Sequence, residues 1–388
     1  MSYEPIASVQ KALIKLTSHL EKPVHKLSGG KLAGNSFISA VKVPYVGTNV
    51  KIIKETEDEV YIAKILPNGE FDKRDFRILC TTDLHIDTDY ELNNKTFDRL
   101  TTMISELKPD LVVFTGDVVL SQFQRIDAAQ FAEVFEKLGV YWAYAFGNHE
   151  ARAEKEYFKY IFYKIMVDSP YCLSRFGKPE LFGYGNYFIN IMDGADSVRQ
   201  SLVFFDSGRD ITEEHRIEDG VPEDIGHSYD YIKPSQIKWY TDKLNEIKAK
   251  YGDVKSMIFQ HIPVPEYESF FDDLGDNKYA PKAGAEIIYG TQREGVGCSK
   301  YNSGLFDAMK KNGTQAMFCG HDHCNDFCAK LDGVYLVYNQ TGGYNTYVLY
   351  EKDKLSPDEA TWPFGVNYID VKEDGSIDMG QRKFSELL

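Results

Sequence analysis

Five short apolar runs in this chain each end in a loop that carries histidine, aspartate or asparagine. The loops read Asp83-Leu84-His85, Gly116-Asp117, Gly147-Asn148-His149-Glu150, Gln260-His261 and Gly320-His321-Asp322-His323. A chain that repeats this arrangement is restricted to architectures in which several strands end on a common edge and present polar side chains there.

The spacing between the runs supports that restriction. From residue 76 onward, apolar runs at 77–80, 111–114, 141–146, 201–205, 256–259 and 316–319 predict buried strands. They alternate with helical periodicity at 96–107, 127–138, 154–167, 234–250 and 303–312, and Pro234 sits where a first-turn proline is tolerated. The alternation predicts an α/β fold, a sheet covered by helices. Further strands are expected at 334–338, 347–350 and 367–371, joined by turns such as Glu373-Asp374-Gly375. The segments 206–231 and 263–300 exceed what compact connections need, which makes them candidate walls of a substrate cleft.

Residues 1–75 read differently. Helical spacing over 8–20, a turn at Gly29-Gly30 and alternation over 36–43, 50–53 and 60–65 come with no cluster of ligand residues. We divide the chain into an N-terminal elaboration, 1–75, of a helix plus short strands, and a main domain, 76–388. The elaboration packs on the main domain or serves as a lid or interface. His19 and His25 follow no strand end and read as surface residues.

Composition excludes some partners. The 59 acidic residues outnumber 44 basic ones, and a formal charge of -15 argues against a nucleic-acid or anionic-membrane surface. Six scattered cysteines form no disulfide framework, and no second pair follows Cys324 and Cys328 at zinc-finger spacing. No apolar run approaches the ~20 residues of a membrane span, and no N-terminal stretch resembles a signal peptide. The expectation is a cytoplasmic protein; sequons at Asn94, Asn312 and Asn339 keep secretion open for a chain trimmed of a leader. Oligomeric state is open.

Ligand-type residues at strand ends suggest metal chemistry. Asp83 and His85 are two apart, so an extended loop lets both reach one point. Carboxylate oxygen and imidazole nitrogen suit divalent manganese, iron or zinc, and the donors are too many for one tetrahedral zinc. Two cations would carry +4, against -3 for Asp83, Asp117 and a bridging hydroxide. The centre stays net positive, as a phosphoryl group requires.

The set resembles the calcineurin-like metallophosphoesterase superfamily, whose pattern D-x-H, G-D, G-N-H-E/D, H and G-H-x-H stands here in full and in order over residues 76–350. The resemblance implies a four-layer αββα sandwich and a dinuclear centre of two divalent or mixed-valence ions of manganese, iron or zinc. By motif position, Asp83, His85 and His323 would hold one metal, Asn148, His261 and His321 the other, and Asp117 would bridge. His149 would be the non-ligand histidine that stabilises or protonates the leaving oxygen. Phe205-Asp206-Ser207-Gly208, Ile232-Lys233-Pro234-Ser235-Gln236 with Trp239, His261-Ile262-Pro263-Val264-Pro265-Glu266-Tyr267 and Gly320-His321-Asp322-His323-Cys324-Asn325-Asp326 are similar to a purple-acid-phosphatase-related branch. Two departures stand out: His85 replaces that branch's glycine, and Val118-Val119-Leu120 offers no tyrosine for a coloured iron-phenolate bond. The Asp-Arg-Gly of Ser/Thr protein phosphatases is also missing.

Four residues are secondary candidates. Glu150 and Asp322 are read as supports for the ligand loops, and Arg209 and His227 as loop residues that could touch substrate or stand in solvent. The leading expectation is a phosphomonoesterase that attacks a phosphate ester in line through a metal-bridging hydroxide. The alternatives are a phosphodiesterase acting on cyclic nucleotides or other diesters, and a metal-binding scaffold without catalysis.

Overall fold

The computed structural model describes residues 41–121, 123–150, 156–347 and 364–387. The chain enters through an antiparallel pair, β1 (Val50–Glu55) and β2 (Glu59–Lys64). Three strand–helix units follow: β3 (Phe76–Thr81) with α1 (Tyr90–Leu107), β4 (Leu111–Phe114) with α2 (Gln124–Leu138), and β5 (Trp142–Tyr144) with α3 (Glu156–Val167). An antiparallel pair, β6 (Tyr187–Gly194) and β7 (Ser197–Phe204), leads through α4 (Glu213–Glu218) and α5 (Pro234–Tyr251) to β8 (Lys255–Phe259). The short strands β9 (Phe271–Asp273), β10 (Tyr279–Pro281) and β11 (Glu286–Tyr289) come before α6 (Leu305–Asn312). Last are β12 (Thr314–Cys319), β13 (Cys328–Leu331), β14 (Val334–Tyr338), β15 (Gly365–Val371) and β16 (Ile377–Lys383).

These strands build two large sheets. One has nine strands in the order β1-β2-β6-β7-β8-β12-β14-β13-β11, the other five in the order β16-β15-β3-β4-β5. Within the smaller sheet β3, β4 and β5 run parallel. In the larger, β7, β8, β12 and β14 are parallel neighbours. Each parallel block therefore delivers the loops after its strands to one edge, and every ligand motif expected from sequence follows a strand of one of these blocks.

The pleat decides which core each residue joins. Along β3, Ile78 and Cys80 share a buried cluster with Ile189, Leu202, Phe259 and Phe318 of the larger sheet. Leu79 between them clusters with Phe97 of α1 and Phe131 of α2. On the far side of the larger sheet, Val203, Ile258 and Met317 meet Tyr240 and Leu244 of α5 and Met309 of α6. The result is helix, sheet, sheet, helix: the four-layer αββα sandwich.

Local chemistry fixes the helix ends. The Asp89 carboxylate accepts from the backbone N–H of Glu91 and Leu92 and starts α1, while Gly139, at φ 66°, closes α2 in a conformation that glycine adopts without strain. Pro234 opens α5, and the Gln236 side chain accepts from the Lys233 N–H at 2.7 Å.

Several elements depart from the expected ones. β6 is unread in the sequence because Asn190 interrupts its apolar run; that residue is buried against the Ser201 hydroxyl, which donates to it at 2.6 Å. The two long segments are not plain loops, since 206–231 contains α4 and 263–300 contains β9, β10 and β11. Within residues 1–75, β1 and β2 widen the larger sheet, and Val60 and Ile62 enter its inter-sheet core. The helix expected over 8–20, the turn at 29–30, residues 36–40, His19, His25 and the strand residues 348–350 lie outside the described residues; 41–43 and Tyr347 are irregular. No helix among the described residues is long and apolar enough to cross a membrane.

The smaller sheet's helix-facing core centres on Phe114, whose ring lies 5.0 Å from Phe131, 5.4 Å from Phe135 and 6.4 Å from Trp142. Phe114→Ala is expected to lower unfolding stability by about 3–5 kcal/mol, read from chemical denaturation; a loss under about 1 kcal/mol would mean that this cluster is not a main support of the layer.

Candidate metal centre

The ligand loops meet because glycine stands where the two sheets come closest. A Cβ on Gly320 would fall 1.9 Å from the Thr82 hydroxyl oxygen, and one on Gly116 would fall 2.6 Å from Nδ1 of His261. The loops are then tied by main-chain bonds. The Asp83 N–H donates to the Gly116 carbonyl at 3.1 Å, His85 to Asp117 at 3.0 Å, and Gly320 to His261 at 3.0 Å. Across the sheets, the His321 N–H donates to Oδ2 of Asp83 at 2.9 Å.

Two groups of donors result: Asp83, His85 and His323 converge, as do Asp83, Asp117 and His261, with the ligand atoms of each group within 4.8 Å of one another. Oδ1 of Asp83 lies 3.3 Å from Nε2 of His85 and 3.2 Å from Nε2 of His323. Oδ2 of Asp117 is 3.3 Å from Nε2 of His261, 3.6 Å from that of His85 and 3.7 Å from that of His149. This oxygen is buried and accepts no hydrogen bond. A buried carboxylate oxygen facing three imidazole nitrogens needs positive charge among them, which a protonated His261 or a metal cation would supply, so the donor set fits a metal centre. Asn148 joins through Oδ1, 2.9 Å from Nε2 of His261, and the His321 ring lies 5.1 Å from that of His261. Nδ1 of His261 faces the Thr115 carbonyl at 2.7 Å, which fixes the tautomer and leaves Nε2 for a metal.

Burial and mutual charge set the protonation of these donors. Burial opposes ionisation of Asp83 and Asp117, yet the imidazoles of His323 and His261 outweigh it and hold both carboxyls well below the usual range. Burial also opposes the charged form of His261, but Asp117 and Asp83 prevail and raise it to about 10. His321 is pushed down to about 3 by burial and by the charge on His261.

Glu150 carries the strand-end loops. Its carboxylate is wholly buried and accepts the backbone N–H groups of Asp117, Val118, Val119 and Gly147. Burial and the neighbouring Asp117 push it up to about 7. Asp322 turns away from the donors: its Oδ2 accepts from the Tyr338 hydroxyl and from the Gly297 N–H, and burial together with Glu294 raises it to about 8. Both supports are thus second to the ligands, holding loops in shape.

The donors open onto a cleft of about 320 Å³ lined by His85, Asp117, Asn148, His149, His321, Asp322 and His323, together with Leu120, Tyr229, Asn345, Thr346 and Tyr347. Arg209 and His227 are not in that lining. Arg209 pairs with Asp210 at 3.0 Å, and His227 is 86% exposed beside the same residue. Tyr229 is the cleft residue that the 206–231 segment supplies, whereas 263–300 supplies none and acts behind it through Glu294 and Gly297. Tyr229 and Tyr347 escaped the sequence reading because neither stands in one of the five strand-end motifs.

Residues 76–325 match the profile of the calcineurin-like phosphoesterase family. A protein of Arabidopsis thaliana named probable inactive purple acid phosphatase 29 is 32% identical over 280 residues, 66% of this chain and 65% of its own length. Phosphatase DCR2 of Saccharomyces cerevisiae is 29% identical over 300 residues, 70% of this chain and 49% of its own length. The chain thus spans less than two thirds of either relative. A dimetal phosphatase structure from Danio rerio is 13% identical and covers 80% of this chain and 97% of its own, with a TM-score of 0.47.

Glu150→Gln places an amide N–H₂ among backbone N–H donors and is expected to weaken metal affinity roughly 10–100-fold in a metal titration; unchanged affinity would remove Glu150 from the support of the centre. His261 must lose its proton to ligate, so metal uptake is expected to release protons and to weaken as pH falls, by about one decade per unit for each proton released below pH 10. Calorimetric titration in buffers of different ionisation heat measures this directly, and uptake without proton release would contradict it.

Proposed function

Since the chain belongs to the calcineurin-like phosphoesterase family, we propose that it is a phosphomonoesterase working on two divalent cations held where the strands of both sheets end. Asp83, His85 and His323 would hold one, Asn148, His261 and His321 the other, and Asp117 would serve both. The observation that carries this reading is Oδ2 of Asp117, buried without a hydrogen-bond donor between Nε2 of His85 and Nε2 of His261. Manganese, iron or zinc suits the mixture of carboxylate oxygen and imidazole nitrogen. When bound, the two cations supply Lewis-acid activation of water and of the phosphoryl oxygens.

The protein's own side chains do the rest. The cleft holds the ester with its phosphorus toward the donors. His149 lines that cleft, is 20% exposed and has Nε2 3.7 Å from Asp117, so its ring reaches both the centre and a bound leaving group. It donates the proton that the departing oxygen takes up. Asp322 is committed to Tyr338 and Gly297 and takes no part in proton transfer. Three Arabidopsis thaliana relatives carry the word inactive in their names. In this chain, the full set of seven donors together with His149 supports an active enzyme. Residues 1–75 act as an elaboration of the family domain whose strands β1 and β2 widen its larger sheet.

His149→Ala is expected to leave metal content unchanged and to lower turnover of an aryl phosphate by roughly a hundredfold or more. Loss of metal would reassign His149 as a ligand, and unchanged turnover would remove it from the chemistry. Rates on mono-aryl and bis-aryl phosphate decide between mono- and diesterase: faster cleavage of the monoester is expected, and the reverse order would favour the diesterase.

A further inference from the structure

Two tyrosines stand against the paired histidines, and nothing in the ligand pattern requires them. The Tyr229 ring meets that of His321 edge-on, with centroids 4.4 Å apart and planes at 87°. The Tyr347 ring stacks on that of His323, with centroids 4.2 Å apart and planes at 28°. Both line the same cleft, together with Leu120. Tyr347 is held in place although it is 49% exposed: its hydroxyl donates to Oε2 of Glu294 at 2.8 Å, and Oε1 of Glu294 accepts the Cys324 N–H at 2.6 Å, one residue past His323. An exposed aromatic ring anchored by a carboxylate that is itself anchored to a ligand loop is a built surface.

The charge of the lining completes the picture. Among the described residues that line the cleft there is no lysine or arginine. A substrate bearing further phosphates or carboxylates would meet no side-chain cation among the described lining residues, and Asp322 and Glu294 stand close by. An uncharged planar group attached to one phosphoryl group meets aromatic faces and an apolar side chain instead.

We infer that Tyr229 and Tyr347 form an aromatic seat for the leaving group, so that the centre selects esters of one phosphoryl group on a planar, uncharged aromatic alcohol. Glu294 is the positioning residue that fixes one side of the seat. The inference rests on the phosphoesterase reading of the same centre and narrows its substrate class.

Phosphonates test it without turnover. With the manganese-loaded protein, calorimetry is expected to show phenylphosphonate bound roughly tenfold more tightly than methylphosphonate. That preference should fall toward one in Tyr229→Ala and in Tyr347→Ala, and fall only in part in Tyr347→Phe, which keeps the ring but loses its bond to Glu294. Equal binding of the two phosphonates by the unmodified protein, or a preference that survives both alanine variants, would overturn the seat and leave the metal centre standing. Binding of neither phosphonate would overturn the seat and the phosphoesterase reading together.

Discussion

The bond from the His321 N–H to Oδ2 of Asp83 joins the two sheets at their functional edge, and the rest of the centre depends on it. Asp83 follows a strand of the smaller sheet and His321 one of the larger, so the bond sets the distance between two ladders that share no strand. That distance is short only because Gly320 and Gly116 carry no side chain at the crossing. With the loops this close, one aspartate can face histidines from both sheets: Asp83 lies near His85 and His323, and Asp117 near His85 and His261. Separate the sheets by one methyl group and two half-sites remain.

Such closeness carries a conformational cost. Asp83, His85, Asp117 and His321 all have positive φ, between 46° and 78°, where side chains other than glycine cost of order 1–3 kcal/mol each. Buried like charges add to the strain. The surrounding structure offsets it with fixed donors and acceptors: Glu150 gathers four N–H groups from two loops, and the Thr115 carbonyl fixes the His261 ring. A bound cation would relieve what remains by supplying positive charge beside Asp117, and His261 would have to give up its proton to hold it.

The sequence exposed the centre more clearly than its surroundings. Each ligand lies within a few residues of a short apolar run, so local pattern was enough to place Asp83, Asp117, Asn148, His261 and His323 on strand ends, and the alternation of runs was enough for the layered fold. What stayed hidden works through tertiary contacts. Tyr347 reaches His323 across 24 positions of chain by way of Glu294, and a backbone carbonyl such as that of Thr115 leaves no mark in a sequence. Asn190 concealed β6 because its burial depends on a partner one strand away. Arg209 and His227 were named for their residue type alone, and type does not say which way a long segment faces.

The order of the motifs along the chain also sets an order in time. Asp83, His85, Asp117 and Asn148 are made well before His261, His321 and His323, and the smaller sheet is itself completed late, when β15 pairs with β3 across almost three hundred residues. Until the larger sheet docks, the early half offers one donor imidazole, two carboxylates and the Asn148 amide on loops without their partners. Contacts of such long range form late in folding. A centre that needs donors from both sheets would therefore be complete only in the nearly finished protein.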